Sequence, residues 1–307
     1  MNANNKVFQM VTDKIIAEME NGIIPWQKPW TGGAQNYAIS HTTGKQYSML
    51  NQWLLGCRSG EWLTFNQVKA EGGSVKAGEK SSIIVFWQTS YTKTVQVTKT
   101  DEDGNEETEL KKIAVRCPIL KYFNVFHIDQ CNGIKTRYSK PEGEQVKFDH
   151  DPIEDAENVV GLYFDREACK LNVTDSDQAF YQPSSDSVTV PMLSQYEITE
   201  EYYSTLFHEM VHSTGHRDRL NRDTLTKSAA FGSEVYSREE LVAEMGAAFM
   251  IAKLGIDCEK AFRNSVAYLQ SWIKALRNDK KMIVVAAGRA EDAVEYILNG
   301  KKETASN

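Results

Sequence analysis

Residues 207–216 read FHEMVHSTGH, and no other stretch of the chain restricts its chemistry as much. On a helix, His208 and His212 are four residues apart, so both imidazoles project from one face at a separation that can hold a single metal ion. Glu209 is offset by about 100°, close enough to reach a water on that metal without being a ligand. Zinc takes neutral imidazole nitrogens at about 2.0–2.1 Å and lowers the pKa of a bound water to about 7. A carboxylate beside it can take the proton as water attacks a carbonyl, then pass it to the leaving amine. Three of the six histidines of the chain fall within these ten residues, which concentrates the metal-binding potential here. Glu209 is thus the candidate catalytic base, and zinc the expected ion, with manganese as the alternative.

Two imidazoles need a third protein ligand. A histidine six residues after His212 would complete one arrangement, but that position is Asp218. A downstream glutamate is the usual alternative, and the run 237–249 (SREELVAEMGAAF) offers Glu240 and Glu244 one turn apart on a helix. The pattern favours Glu240 as ligand, with Glu244 holding the far side of a ligand histidine or taking the ligand position itself. Two other readings compete. Ser237 with Glu240 also fits a capping box, in which Glu240 only satisfies backbone donors, and His216 could reach the metal from past the helix end.

The helix that carries the histidines has clear signals. Thr199 is placed to N-cap it, Glu200 and Glu201 favour its positive end, and Gly215 is suited to ending it. Just upstream, Asp186–Pro191 (DSVTVP) reads as an edge strand beside the cleft, able to pair with an extended peptide, or as an ordinary strand stopped by proline.

The rest of the chain bounds the setting. Its 307 residues suffice for two domains, and 41% hydrophobic with 25% charged residues is an ordinary globular balance. No run approaches the roughly 20 apolar residues that span a bilayer, so no membrane partner is expected. The N-terminus has neither an apolar core segment nor a small-residue cleavage site, which reads as no secretory leader. Five scattered cysteines without a CxxC argue against a disulfide framework and a thiolate zinc site, and fit a reducing cytoplasm. The net charge of −7 is uneven: through residue 150 there are 18 basic against 16 acidic residues, and six of those acids lie in 101–109. Outside that segment the first half is basic.

Periodicity gives an α+β chain. Val7, Phe8, Val11, Ile15, Ile16 and Met19 recur at helical spacing. Short helices are expected over 49–57 and 64–71, a buried strand over 82–87 ending at a buried Trp87, and a further strand over 121–128. The alternating runs 94–98 and 112–116 flank the acidic segment as a hairpin, giving a first domain of mixed α and β around an antiparallel sheet. The polar stretch 139–157 is the expected boundary, dividing the chain into 1–145 and 150–307. The second domain reads as mostly helical, with helices over 153–164, 200–213, 238–254, 258–277 and 281–299 and a strand pair within 178–191.

Five of the six tryptophans (Trp26, Trp30, Trp53, Trp62, Trp87) occur in the first 87 residues, interleaved with lysines. Single-strand binders stack bases on aromatic faces and track the backbone with cations, although aromatics are as often core. Lys45, Tyr47, Asn51, Lys76 and Lys80 are candidate DNA contacts, as polar groups in loops beside structured elements.

Several of these segments, taken in order, resemble the ArdC family of antirestriction proteins. They are 179–191 (AFYQPSSDSVTVP), 202–216 (YYSTLFHEMVHSTGH), 219–222 (RLNR) and 239–249 (EELVAEMGAAF), preceded by Pro25-Trp26 to Pro29-Trp30, 43–47 (TGKQY) with Asn51, 62–67 (WLTFNQ), 78–80 (GEK) and 122–126 (YFNVF) with Asp129-Gln130. The resemblance implies an N-terminal single-stranded-DNA-binding domain joined to a C-terminal zincin-like metallopeptidase domain, protecting incoming plasmid or phage DNA from host restriction. By likeness, His208 and His212 would be ligands, Glu209 the base, and Glu240 or Glu244 the third ligand. A DNA-associated protein is then a candidate substrate. The competing reading is a free-standing intracellular metallopeptidase whose first domain recognises a protein substrate.

Overall fold

The computed structural model describes residues 3–27, 37–100, 106–138, 152–226, 234–257 and 266–301. The opening periodicity becomes helix α1 (Ala3–Glu20), and all six of its expected apolar positions are buried. Helix α2 (Met49–Leu54) is buried throughout, and α3 (Phe65–Ala70) starts from a Thr64–Gln67 capping box. The strands of the first half are β1 (Ala38–Ser40), β2 (Gly60–Thr64), β3 (Ser74–Val75), β4 (Ser82–Thr100), β5 (Glu106–His127) and β6 (Cys131–Asn132).

β4 and β5 form one long antiparallel hairpin whose register runs from Ser82 opposite Val125 to Thr100 opposite Glu106, with an irregularity between Gln88 and Ser90. Both expected runs lie in this hairpin, but they are offset: 94–98 pair with 108–112, and 112–116 pair with 90–94. Residues 101–105 of the acidic tip lie outside the described residues. The main sheet has the order β1-β2-β5-β4 and is mixed, because β1 runs parallel to β2. β3 and β6 form a separate antiparallel pair.

The second half contains α4 (Pro152–Arg166), strands β7 (Lys170–Thr174), β8 (Phe180–Gln182) and β9 (Ser187–Pro191), then helices α5 (Thr199–Thr214), α6 (Asp223–Thr226), α7 (Glu234–Leu254), α8 (Val266–Asn278) and α9 (Met282–Asn299). Most of the expected boundary, residues 139–151, lies outside the described residues. The strand expected at the cleft edge is instead central: β9 pairs with β7 in parallel on one side and β8 antiparallel on the other. β7 (KLNVT), polar at both ends and little buried, has no apolar run to announce a strand, so β9 appeared to be exposed on that side.

Helix α7 is the axis of the core. Leu241, Val242, Ala243, Met245, Ala247, Ala248, Phe249, Met250 and Ile251 are all buried, as expected of a helix apolar on every side. α5 and α9 pack directly against it. The same hydrophobic cluster takes in α1 and α2, so residues from both halves of the sequence share one interior. No helix among the described residues is long and apolar enough to cross a membrane.

Candidate metal centre

α5 starts one residue earlier than its signals suggest. Ile198 occupies the N-cap position without a side-chain cap, and Thr199 is the first helical residue. Its C-cap is Gly215, but at φ −75° rather than in the left-handed region. Glycine is needed there for space: a Cβ would lie 2.8 Å from Arg222 Nη2.

One turn apart near the end of α5, His208 and His212 turn their Nε2 atoms toward each other at 3.1 Å. From the start of α7, Glu240 reaches both, with Oε2 3.5 Å from His208 Nε2 and Oε1 3.4 Å from His212 Nε2. All three candidate ligand atoms lie within 4.8 Å of one another. Ligands about 2.0–2.1 Å from a tetrahedral ion sit roughly 3.3 Å apart, so the donor set fits a zinc-sized cation. Its chemistry, two imidazoles and a carboxylate, suits zinc and leaves room for a fourth position.

Two competing readings lose their footing in this arrangement. α7 begins at Glu234, so Ser237 is inside the helix and is not a cap for Glu240. His216 lies beyond the helix, with Nδ1 3.5 Å from Asp218 Oδ2, and is not in the three-residue group. Glu244 is also outside it and acts on His208 through charge. The carboxylate behind the histidines is one that sequence reasoning passed over: Glu239 Oε1 is 3.4 Å from His212 Nδ1.

The electrostatics are those of a site built for positive charge. Burial disfavours a charged His212, yet the hydrogen bonds it donates to Glu239 and Glu240 and the nearby charge of Glu209 outweigh it and push its pKa up to about 10. Burial would likewise raise Glu239 and Glu240, but the histidines, joined at Glu239 by Arg222, hold both carboxyls well below the usual range. A field that retains a proton on an imidazole also favours a divalent cation in its place. Glu209 is itself buried on α5 beside this group.

The candidate DNA contacts are scattered over the first half. Lys45 and Lys80 are exposed. Lys76 Nζ donates to the Asp129 carbonyl at 2.6 Å. Tyr47 packs half-buried against the cluster of Ala38, Leu55, Trp62, Ile84 and Val125. Asn51 must be withdrawn from the solvent-facing set: it is buried, and its side-chain amide bonds both the N–H and the carbonyl of Val85. Trp26, Trp53 and Trp62 are core, whereas Trp87, expected to be buried, is 40% exposed. Trp30 lies outside the described residues. Other aromatics face outward. The register sets Ile84 opposite Phe123 and Phe86 opposite Lys121 on one sheet face, with Phe86 55% and Phe123 43% exposed.

Comparison with known proteins bears on both halves. A family model described as zincin-like metallopeptidase matches residues 160–289, and one described as the N-terminal domain of anti-restriction factor ArdC matches residues 5–126. Two DNA primases TraC of Escherichia coli are each 33% identical over 94% of this chain, which spans only 27% and 20% of their lengths. An uncharacterized protein y4eC of Sinorhizobium fredii is 30% identical, with 95% of this chain and 91% of that protein covered. Two crystal structures of the antirestriction protein ArdC from plasmid R388 align over nearly the whole chain. The metal-free form gives 31% identity and a TM-score of 0.63, covering 94% of this chain and 96% of that one. The Mn(II)-bound form gives 30% and 0.66, covering 97% and 98%. With both halves matched in order and the alignment running almost end to end, this chain belongs to the ArdC family of antirestriction proteins.

Proposed function

We propose that the chain is a single-stranded-DNA-binding antirestriction protein whose second half is a zinc-dependent metallopeptidase. The observation that carries the enzymatic part is the convergence of His208, His212 and Glu240, from two helices, with Glu209 beside them. These three residues would hold the ion, which when bound supplies Lewis acidity and a water that ionises near neutral pH. Glu209, buried and carboxylate-bearing, takes a proton from the attacking water and returns it to the amide nitrogen of the departing peptide. Extended substrate has a backbone partner in β8, the antiparallel edge of the small sheet, which packs against α5.

The DNA-binding part draws on family membership and on the exposed Phe86 and Phe123 with Lys121 on the same sheet face. Stacked bases contribute about 1–3 kcal/mol each on such platforms. In this reading Lys45, Lys76 and Lys80 are cations for the phosphate backbone, and a protein associated with the bound strand is the peptidase substrate.

Two measurements test the halves of this reading. Glu209→Gln retains stoichiometric zinc while peptide hydrolysis falls at least 100-fold, in line with general-base contributions of roughly 10²–10⁴; unchanged hydrolysis removes Glu209 from the reaction. A labelled oligonucleotide binds at low salt and is released steeply as salt rises, and Phe123→Ala weakens it by at least about fivefold. No binding at low salt leaves a metallopeptidase whose first half recognises protein.

A further inference from the structure

Behind the three candidate ligands lies a second, fully buried cluster that the reaction above does not use. Glu239 and Glu240 are consecutive on α7, so their side chains diverge by about 100° and take His212 from its two sides. Glu240 faces Nε2 at 3.4 Å and Glu239 faces Nδ1 at 3.4 Å. Glu239 is in turn held from behind. Arg222 donates to its Oε1 from Nη2 at 2.6 Å and from Nε at 3.1 Å, and the Thr224 hydroxyl donates to its Oε2.

Arg222 is itself fixed. Its guanidinium caps the last turn of α5, donating to the carbonyl of Val211 at 2.7 Å and to the Thr214 hydroxyl at 2.6 Å. Arg222, Thr224 and Glu239 are all buried. The segment after α5 therefore returns under the helix and clamps a carboxylate against the inner face of one histidine.

We propose that Glu239, clamped by Arg222 and Thr224, is a positioning residue for His212. It accepts the Nδ1 proton, which leaves the lone pair on Nε2 directed toward the space shared with His208 and Glu240. A histidine with an unfixed tautomer presents that lone pair only part of the time, and a ring without an anionic partner is a weaker donor. This role rests on the metal-site reading of His208, His212 and Glu240.

The test is zinc affinity of the full chain, measured by competition with a chromophoric chelator, alongside the melting temperature of the metal-free protein. Glu239→Gln removes the charge while keeping the side-chain size, and zinc binding should weaken about 10–100-fold. Thr224→Val, which leaves every charge in place, should weaken it several-fold, and it carries the test alone should Glu239→Gln fail to fold. In the zinc-loaded wild type, ¹⁵N-resolved imidazole spectra should show His212 protonated at Nδ1. If both variants bind zinc as wild type does, or differ only in metal-free melting temperature, the positioning role is overturned and the metal site stands. A wild-type chain that takes up no zinc overturns both.

Discussion

Asp186 ties the small sheet to the helix of the histidines. It sits in the turn before β9 at φ 45°, a conformation Asp and Asn tolerate better than most residues. Its carboxylate accepts from Arg219 Nη1 at 3.0 Å and from the Tyr181 hydroxyl at 2.8 Å. Arg219 also donates from Nε to the Ser213 carbonyl of α5 at 2.7 Å. Burial would raise the Asp186 pKa, but Arg219 and Tyr181 outweigh it and hold the carboxyl below its ordinary value. A depressed carboxyl contributes stability that is present above its unfolded pKa, near 4, and is lost as pH falls through the folded value. Asp186→Asn suits the backbone and mimics the protonated acid. It should therefore melt below wild type at pH 7, and the gap should close as the pH falls through the lowered folded pKa of Asp186; equal melting at pH 7 would contradict the account. Gly215 gives a second residue-level test. In its near-helical conformation, Gly→Ala ordinarily stabilises by about 0.4–1 kcal/mol. Here the new methyl would meet Arg222 at 2.8 Å, so Gly215→Ala should instead cost about 1–3 kcal/mol in urea unfolding. The sign alone separates the two.

Between elements, the contact that sets the geometry of the candidate metal site is α5 against α7, since each contributes candidate ligands. Gly246 lets these helices approach: a Cβ there would stand 2.6 Å from Val211 Cγ2 and 2.9 Å from Cγ1. Gly246→Ala should destabilise by about 1–3 kcal/mol and weaken zinc binding by shifting Glu240 relative to the histidines. Adding Val211→Ala should recover part of both losses, because the clash is pairwise; no recovery in the double variant would move the cause elsewhere. This interface also explains what the sequence could reveal. His208 and His212 were legible because a spacing of four is a property of one helix. Glu240 and Glu244 lie one turn apart on the same face, so the pattern could favour Glu240 without excluding Glu244; the approach of α5 brings Glu240, and not Glu244, into one group with the two histidines. Glu239 was invisible as a partner because its role depends on Arg222 returning from a turn seventeen residues away. The centrality of β9 was hidden for a similar reason, as its neighbour β7 has little buried side-chain surface to mark it as a strand. The tryptophans show the limit of composition: the same residue type fills the core at positions 26, 53 and 62 and is half-exposed over Phe8 at 87.

At the scale of the whole molecule, the two halves meet through an apolar interior. Trp53 of α2 packs on Phe249 of α7 with ring centroids 4.9 Å apart, and on Trp26 at 6.1 Å. Thr12 of α1 donates to the Lys280 carbonyl at 2.8 Å, in the turn between α8 and α9. The shared interior makes α1 and α2 structural parts of the zincin-like half, although α2 ends nearly a hundred residues before it. Cooperative unfolding of both halves follows, since exposing Trp53 removes the surface on which Phe249 is buried. Five of the six tryptophans lie in the first 87 residues, so their fluorescence reports mainly on that half, while far-ultraviolet dichroism is dominated by the helices of α4 to α9. Coincident midpoints by the two probes are the expected result. Trp53→Ala should lower both together, by about 3–5 kcal/mol. Saturating zinc, which the proposed site would bind only when folded, should raise both together, the tryptophan signal included. If zinc moves the dichroism midpoint and leaves the fluorescence midpoint in place, the halves unfold independently, and residues 1–145 and 150–307 would then be separable domains.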